Sequence, residues 1–262
     1  MNKEILYQDK KIFYQTFGSG KPVMLVHGFG EDGRVWKNQI AYLKEKKFLI
    51  VPDLPGSGQS AAIADMSMEG LAEVLHSIIH KEDINTCTMI GHSMGGYITL
   101  AIAEKYWNHL HAFGLFHSSG FADSEEKKMA RKKGIEFIEQ HGTFEFLKTS
   151  TPNLFSEIFK TDSPQFVNEF IDSIKYLPAQ SLISYYKAMM ERPDRTAVLK
   201  NSGLRILFIL GEFDNAIPLQ DGLKQCHMPE ISHIHILKKS GHMGMVEEPQ
   251  KVNLILEEFL NV

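Results

Sequence analysis

The stretch Gly91-His92-Ser93-Met94-Gly95-Gly96 decides which fold this sequence is expected to form. An apolar, strand-like run covers residues 86–90 directly before it, and an apolar helical pattern covers residues 93–106. A serine at such a strand-to-helix turn takes a strained backbone conformation, and glycines beside it remove side chains that would collide with the neighbouring strand and helix. The hydroxyl of Ser93 is therefore expected to be exposed at a helix N-terminus.

This position of Ser93 also points to a reaction type. The free N–H groups and the positive dipole end of a helix N-terminus stabilise negative charge that develops on a bound carbonyl oxygen. Ser93 is therefore a candidate nucleophile. The alternative is an ordinary Gly-Ser turn, which the demanding strand-turn-helix setting disfavours.

Strand and helix patterns alternate along most of the chain. Apolar runs that end at glycine, proline or polar residues predict strands at residues 12–17, 23–26, 48–51, 86–90, 112–116, 205–210 and 233–237. Apolar stripes predict helices at residues 36–46, 67–80, 93–106 and 246–260. Repeated strand-helix units imply an α/β fold with a mainly parallel sheet and helices on both faces.

Residues 124–192 break this alternation. They show helical patterns at residues 124–141, 150–160, 163–176 and 179–191, and no strand pattern. Three prolines fall near the starts of these segments, where a missing N–H is harmless: Pro152, Pro164 and Pro178. We expect an inserted helical cap at residues 121–197, between core segments at residues 1–120 and 198–262.

Composition narrows the class of protein. With 43% hydrophobic and 23% charged residues, the chain is expected to form one globular domain with an insertion. Lysine and arginine total 28 against 32 acidic residues, without a basic stripe, so nucleic acid is not an expected partner. We expect no membrane span and no secretory signal. Two cysteines give no disulfide framework, so a cytoplasmic location is expected; the sequence indicates no oligomeric state.

Taken together, these motifs make the chain similar to the α/β-hydrolase superfamily, in the serine-nucleophile branch with a helical cap, over nearly its whole length. The resemblance implies an eight-stranded sheet and the chain order serine, acid, histidine. Gly211-Glu212-Phe213-Asp214 resembles the acid loop, and Ser240-Gly241-His242 resembles the histidine loop. The resemblance assigns His242 as the base and Asp214 as the acid that orients it, with Glu212 as the local alternative.

The resemblance also implies an oxyanion hole. His27-Gly28-Phe29-Gly30 is similar to the first oxyanion loop of the family, so the backbone N–H groups of Phe29 and Met94 are the expected donors. His92 and His117 lie close to the predicted site in sequence and are expected to line the substrate pocket. Residues 53–60 match a family loop and are interpreted as a structural turn, not as a phosphate-binding loop.

No metal and no cofactor are expected. His233 and His235 alternate along a predicted strand, and His109 and His111 form a similar pair. Paired histidines of this kind sometimes bind metals, but neither pair has an evident third or fourth ligand. The chemistry assigned to the serine, histidine and aspartate needs neither a metal nor a cofactor.

The expected activity is hydrolysis of a small carboxylic ester, or a related acyl substrate, through an acyl-enzyme. Thioesters, lactones, peptides and peracids stay open, because their reactions pass through a similar oxyanion. Ser93 argues against haloalkane dehalogenases and epoxide hydrolases, which carry Asp there. Carbon–carbon bond hydrolases stay open, although many carry Trp where this chain has Met243. A ligand receptor that retains the three residues is a further alternative.

Overall fold

One eight-stranded sheet organises the chain, and the computed structural model describes residues 1–262. The strands are β1 (Asn2–Tyr7), β2 (Lys10–Phe17), β3 (Pro22–Val26), β4 (Phe48–Pro52), β5 (Cys87–His92), β6 (Leu110–Phe116), β7 (Arg205–Gly211) and β8 (Ile231–Leu237). Their order across the sheet is β1-β2-β4-β3-β5-β6-β7-β8. The β1–β2 and β2–β4 pairs are antiparallel and all other pairs are parallel. The expected eight-stranded, mainly parallel α/β fold is thus confirmed.

Helices connect the strands and flank the sheet. They are α1 (Lys37–Leu43), α2 (Met68–Lys81), α3 (Met94–Lys105), α4 (Glu125–Ser150), α5 (Glu157–Asp162), α6 (Pro164–Ile174), α7 (Ala179–Glu191), α8 (Thr196–Asn201), α9 (Leu219–Leu223), α10 (Gly244–Glu247) and α11 (Pro249–Asn261). Short 3-10 turns cover Gly33–Trp36, Trp107–His109 and Thr151–Leu154. No helix is both long enough and apolar enough to cross a bilayer.

Both faces of the sheet are buried. Side chains alternate between the two faces along a strand, so Met24 and Val26 of β3 enter one hydrophobic core, together with residues of α2 and α3. Val23 and Leu25 enter the other core, together with residues of α1 and α11. Helices therefore cover both faces and leave the strand ends open, which is the usual place for a binding site in parallel sheets.

The strand β1 was missed in the sequence. Its residues alternate between apolar and charged, but only Ile5 is buried, because β1 is an edge strand with a solvated face. The turn to β2 uses Gln8 and Asp9, both with positive φ. Such two-residue turns usually carry glycine at one of these positions, so the usual hairpin signal is absent.

Three predicted helices differ in the structure. Residues 124–141 were expected to form one helix, but α4 continues to Ser150 and bends sharply at Gly142, whose φ is 82°. The expected helix at residues 246–260 is broken into α10 and α11 at Glu248, because proline disfavours helical backbone in the residue before it and Pro249 follows. The segment predicted as a helix at residues 150–160 is a 3-10 turn followed by α5, which begins at the capping residue Ser156.

Between β6 and β7, residues 117–204 contain the helices α4 to α8 and no strand. We call this part the helical segment. Two free cysteines, Cys87 and Cys226, are both buried outside it.

Candidate active site

Ser93 lies at the turn between β5 and α3, with φ 50° and ψ −116°, and its side chain is half-buried. A side chain at Gly91 would place its Cβ 2.3 Å from the carbonyl oxygen of Gly95, and one at Gly95 would lie 2.5 Å from that of Val26. Only glycine fits at both positions. The structure thus has the strained strand-to-helix turn that the sequence predicts, and its strain is maintained by close packing on both sides.

Hydrogen bonds to the end of β6 hold this strained turn. The N–H of Ser93 donates to the carbonyl oxygen of Phe116 at 2.9 Å, and the hydroxyl of Ser118 donates to the carbonyl oxygen of Ser93 at 2.7 Å. The backbone polar groups of Ser93 are therefore occupied. Its hydroxyl is left free for other partners at the N-terminus of α3.

His242 and Asp214 form a buried pair on the loops after β8 and β7. Nδ1 of His242 lies 2.8 Å from Oδ2 of Asp214. The other carboxylate oxygen, Oδ1, accepts N–H groups from Ala216 at 2.8 Å and Ile217 at 2.9 Å. Because the proton on Nδ1 faces the carboxylate, Nε2 of His242 is left as the basic nitrogen.

Electrostatics keep the carboxyl group of Asp214 ionised. Burial alone would raise its pKa, but the imidazoles of His242 and His117 outweigh burial and hold the pKa of Asp214 well below its usual range. A permanently charged carboxylate can hold one tautomer of His242 and stabilise the imidazolium form.

His92 connects the Ser93 turn to the loop of His242. Its Nε2 donates to the carbonyl oxygen of His242 at 2.9 Å, and the two ring centroids are 4.9 Å apart. No hydrogen bond joins Oγ of Ser93 to His242 in this structure. In enzymes of this type that bond often tightens only when substrate binds.

Glu31 lies beside the other ring nitrogen of His92, opposite the loop of His242. Nδ1 of His92 lies 3.0 Å from Oε2 of Glu31, and both side chains are buried. Burial alone would lower the pKa of His92, but the Glu31 carboxylate raises it above the usual value. Because both ring nitrogens of His92 face acceptors, the imidazolium form satisfies both, and a buried ion pair results.

The same Glu31 carboxylate positions the loop of Phe29. Its Oε2 accepts the N–H of Gly28 at 2.8 Å. Nε2 of His27 accepts the N–H of Leu54, so the proton of a neutral His27 ring lies on Nδ1, which donates to the carbonyl oxygen of Gly28 at 2.9 Å. In a trans peptide, C=O and the following N–H point in opposite directions. The bond from His27 therefore fixes the direction of the Phe29 N–H.

The two expected oxyanion donors are free of competing bonds. The N–H of Phe29 donates to no backbone oxygen or side chain of the protein. Met94 is the first residue of α3, where an N–H has no acceptor within the helix. A side chain at Gly28 would place its Cβ 3.1 Å from Cβ of Ser93, so this loop lies directly against the nucleophile turn.

A second imidazole approaches Asp214. Nδ1 of His117 lies 3.1 Å from Oδ2 of Asp214, although its direction does not meet hydrogen-bond geometry. Nε2 of His117 accepts the N–H of Gly244 at 3.3 Å. Two histidines and one aspartate could in principle hold a metal, and their ligand atoms lie within 4.8 Å of one another. However, Nε2 of His117 accepts an N–H, so the proton of a neutral His117 ring lies on Nδ1, and Nδ1 of His242 holds the proton that faces Asp214. Neither nitrogen that faces Asp214 therefore offers a lone pair to a metal.

Glu247 holds the histidine loop in place. Its carboxylate accepts the N–H groups of Gly241 at 3.0 Å and Met243 at 3.0 Å, on either side of His242. It also accepts the N–H of Ser156, from the helical segment, at 2.8 Å. One partly buried carboxylate thus joins the histidine loop to the helical segment.

Aromatic side chains of the helical segment pack on the Phe29 loop. The ring of Tyr186 in α7 stacks on Phe29 with centroids 4.3 Å apart, and Phe146 in α4 meets it edge-on at 6.3 Å. Tyr185 donates its hydroxyl to the carbonyl oxygen of Pro55 at 2.6 Å. The helical segment therefore covers the strand ends where Ser93 lies.

The structure differs from the sequence-based expectation for two histidines. His92 and His117 were expected to line the substrate pocket, but both are fully buried and contact Glu31, Asp214 and backbone groups. They lie behind the Asp214–His242 pair because the polar groups of the loops enclose them. Glu212, the alternative acid, is exposed and pairs with Lys238.

Sequence reasoning missed the carboxylates of Glu31 and Glu247. Glu31 lies on a loop and Glu247 ends the short helix α10, and nothing in their local sequence distinguishes them from solvated acidic residues. The available signal was position in the sequence: Glu31 directly follows the predicted oxyanion loop, and Glu247 comes five residues after His242.

Comparison with known proteins identifies the family of this chain. A family model described as the Alpha/beta hydrolase family matches residues 23–253. A 3-oxoadipate enol-lactonase of Acinetobacter baylyi is 25% identical over 256 residues, which cover 95% of this chain and 93% of that protein.

Solved structures show the same fold over the whole chain. A thermophilic esterase from Thermogutta terrifontis is 28% identical, with a TM-score of 0.92, and the match covers 100% of this chain and 98% of that one. An enol-lactonase from Burkholderia xenovorans is 18% identical, with a TM-score of 0.91 over 99% of this chain and 100% of that one. Since the family match extends over most of the sequence, the chain belongs to the alpha/beta hydrolase family and is an esterase-like hydrolase.

Proposed function

We propose that this chain is a serine hydrolase that cleaves a small carboxylic ester, or a related acyl substrate, through an acyl-enzyme. Ser93 is the nucleophile, His242 the base and Asp214 the acid that orients the base. The observation that carries the proposal is the buried contact of 2.8 Å between Nδ1 of His242 and Oδ2 of Asp214, on loops beside the strained Ser93 turn.

The reaction proceeds in two steps. Nε2 of His242 takes the proton of Ser93 while Oγ attacks the ester carbonyl carbon, and the protonated imidazole then gives this proton to the leaving alcohol. Next, His242 takes a proton from water, and the resulting hydroxide attacks the acyl-enzyme carbonyl. The acid is released and the proton returns to Oγ of Ser93.

The backbone N–H groups of Phe29 and Met94 stabilise the oxyanion in both steps. The free N–H of Phe29, whose direction is fixed by His27, supports this assignment. The loss of one such donor typically costs about 3 kcal/mol of transition-state stabilisation. No metal or cofactor enters this mechanism.

Residues 121–197, within the helical segment, act as a cap over the site, between core parts at residues 1–120 and 198–262. The packing of Tyr186 and Phe146 on Phe29 supports this role, because it places apolar side chains beside the oxyanion loop. An apolar surround of this kind fits the acyl or alcohol part of an ester. The names of two relatives, an esterase and an enol-lactonase, support the same ester-type class.

Hydrolysis of p-nitrophenyl esters, from acetate to longer acyl chains, tests this proposal. The wild type should turn over many times, and Ser93→Ala should lose this activity while Ser77→Ala, on α2, keeps it. Equal turnover by the Ser93→Ala protein would exclude Ser93 as the nucleophile. The preferred chain length measures the space under the cap.

Two other outcomes would favour the alternatives named above. No hydrolysis of any ester would contradict ester cleavage and favour a carbon–carbon bond hydrolase of the same fold. A single slow turnover with retained product would favour a ligand receptor. The cytoplasmic location and a small-molecule substrate stay predictions of the sequence.

A further inference from the structure

Three histidines form a cluster on the face of the protein away from Ser93. His76 and His80 lie one turn apart on α2, and His109 lies in the 3-10 turn before β6. Their ring centroids are 4.4 Å apart for His76–His80, 5.0 Å for His76–His109 and 5.3 Å for His80–His109. Three imidazoles from two separate elements thus converge on one point.

The nitrogen atoms of this cluster are arranged as ligands. Each ring offers one nitrogen, and the three nitrogens lie within 4.8 Å of one another. Nδ1 of His109 is 3.0 Å from the carbonyl oxygen of Asn85. A carbonyl on one nitrogen is the usual outer partner of a metal-binding imidazole, because it fixes the proton there and leaves Nε2 as the ligand.

One nitrogen in the cluster has no partner. Nε2 of His76 is buried and makes no hydrogen bond in the protein. A buried polar atom without a partner is rare, because its desolvation is uncompensated. A cation shared with the other two imidazoles would satisfy it.

One ion pair lies beside the cluster. Glu73 lies one turn before His76 on α2 and pairs with Lys105 at 2.7 Å. Their charges offset one another, so no free ammonium group repels a bound cation.

We propose that His76, His80 and His109 form a binding site for one divalent transition-metal ion that prefers imidazole nitrogen, such as Zn²⁺. Three histidine ligands leave a fourth position for water or another small ligand. In a tetrahedral site the ligand nitrogens are about 3.4 Å apart, given Zn–N bonds of about 2.1 Å. Rotation of the exposed His80 side chain would bring its nitrogen closer to those of His76 and His109.

This site is independent of the ester chemistry. His109 precedes β6 and His117 follows it, so at 3.3 Å per residue the two ends lie on the order of 25 Å apart. A bound ion would instead fasten α2 to the turn at Trp107–His109 and stabilise the folded chain.

The proposal departs from the expectation of no metal. That expectation considered His109 only as a pair with His111, but His111 is exposed and faces Arg205. The true partners of His109 are separated from it by about thirty residues. Only the packing of α2 beside the 3-10 turn brings them together.

Calorimetric titration with Zn²⁺ tests the site. The wild type should bind one ion per chain. His80→Gln and His109→Gln should each weaken binding roughly 100-fold or more. This exceeds the loss of about 10–100-fold that is typical when a group hydrogen-bonded to a metal ligand is removed. His227→Gln, which changes an exposed histidine outside the cluster, should bind as the wild type does. His76 is left unchanged because its ring stacks on Tyr106 with centroids 3.6 Å apart.

Circular dichroism and ester hydrolysis check that each variant is folded. Zn²⁺ should raise the melting temperature of the wild type and of His227→Gln, but not that of His80→Gln or His109→Gln. Absence of one-to-one binding by the folded wild type would overturn the proposal and leave the cluster as packed aromatic rings. Equal binding by all four proteins would overturn it too, since the ion would then be held elsewhere.

Discussion

Nδ1 of His117 lies 3.1 Å from Oδ2 of Asp214, the same carboxylate oxygen that faces Nδ1 of His242. Burial lowers the pKa of His117 to about 4, although the Asp214 carboxylate acts in the opposite direction. His117 is therefore a neutral ring behind the charged carboxylate. It excludes water from that side of Asp214. Because the His117 ring carries no charge, it does not compete with His242 for the negative charge of the Asp214 carboxylate.

The neutrality of His117 predicts a pH dependence of stability. Its folded-state pKa of about 4 lies below the unfolded value of about 6.5, so the unfolded chain takes up a proton first as the pH falls. Stability should therefore be lost between pH 6.5 and 4. The loss attributable to His117 should be on the order of 3 kcal/mol.

Denaturant unfolding of the wild type and His117→Gln, from pH 7 to pH 4, measures this loss. The free-energy difference between the two proteins should shift in favour of the variant as the pH falls. His76 titrates in the same range but is present in both proteins, so it cancels. Parallel pH curves would show that folding leaves the pKa of His117 unshifted.

Replacement of the acid should disable catalysis and keep the fold. In Asp214→Asn the amide no longer holds the required tautomer of His242, and kcat should fall about 10⁴-fold, by analogy with the serine proteases. Glu212→Gln serves as the matched control, because Glu212 is exposed and faces Lys238. A similar loss of kcat in both variants would show that Asp214 is not the residue that orients His242.

The bond from His27 to Gly28 predicts an effect on the oxyanion hole. In His27→Ala the peptide that carries the Phe29 N–H is free to turn, and kcat should fall by up to about 10²-fold with little change in KM. His27→Asn places an amide N–H near the position of Nδ1 and should recover part of the loss. If Asn rescues nothing, the role of His27 lies elsewhere, for example in its bond from Leu54.

The buried pair of Glu31 and His92 should be energetically coupled. Removal of one partner leaves an uncompensated buried charge, so Glu31→Gln and His92→Gln should each reduce the free energy of unfolding by about 3 kcal/mol. The double variant should lose less than the sum of the two, by about 0.5–3 kcal/mol. Urea unfolding of all four proteins completes the cycle, and strict additivity would mean that the two groups do not interact.

The parts of this molecule that follow local rules could be predicted from the sequence. Buried parallel strands have continuous apolar runs, and the Ser93 turn needs glycine on both sides, so both leave a clear pattern. The loops of Asp214 and His242 were found through their order along the chain. The edge strand β1 left no such pattern, since its turn residues Gln8 and Asp9 are unusual at positive φ.

Residues that act through long-range contacts could not be predicted. Glu31 meets His92 across about sixty positions of the chain, and His76 meets His109 across about thirty. Their spacing follows from the order of strands in the sheet, which local periodicity does not encode. The same reason explains why His92 and His117 were assigned to the pocket, since closeness in sequence does not determine the direction of a side chain.

The carboxylate of Glu247 joins the loop of His242 to residues 154–156 of the helical segment. It accepts N–H groups from both sides of His242 and from Ser156, while the N–H of His242 itself donates to the carbonyl oxygen of Leu154 at 2.6 Å. Outward motion of residues 154–156 must therefore break these bonds or displace the imidazole. A displacement of this part of the helical segment is thus coupled to the orientation of the imidazole.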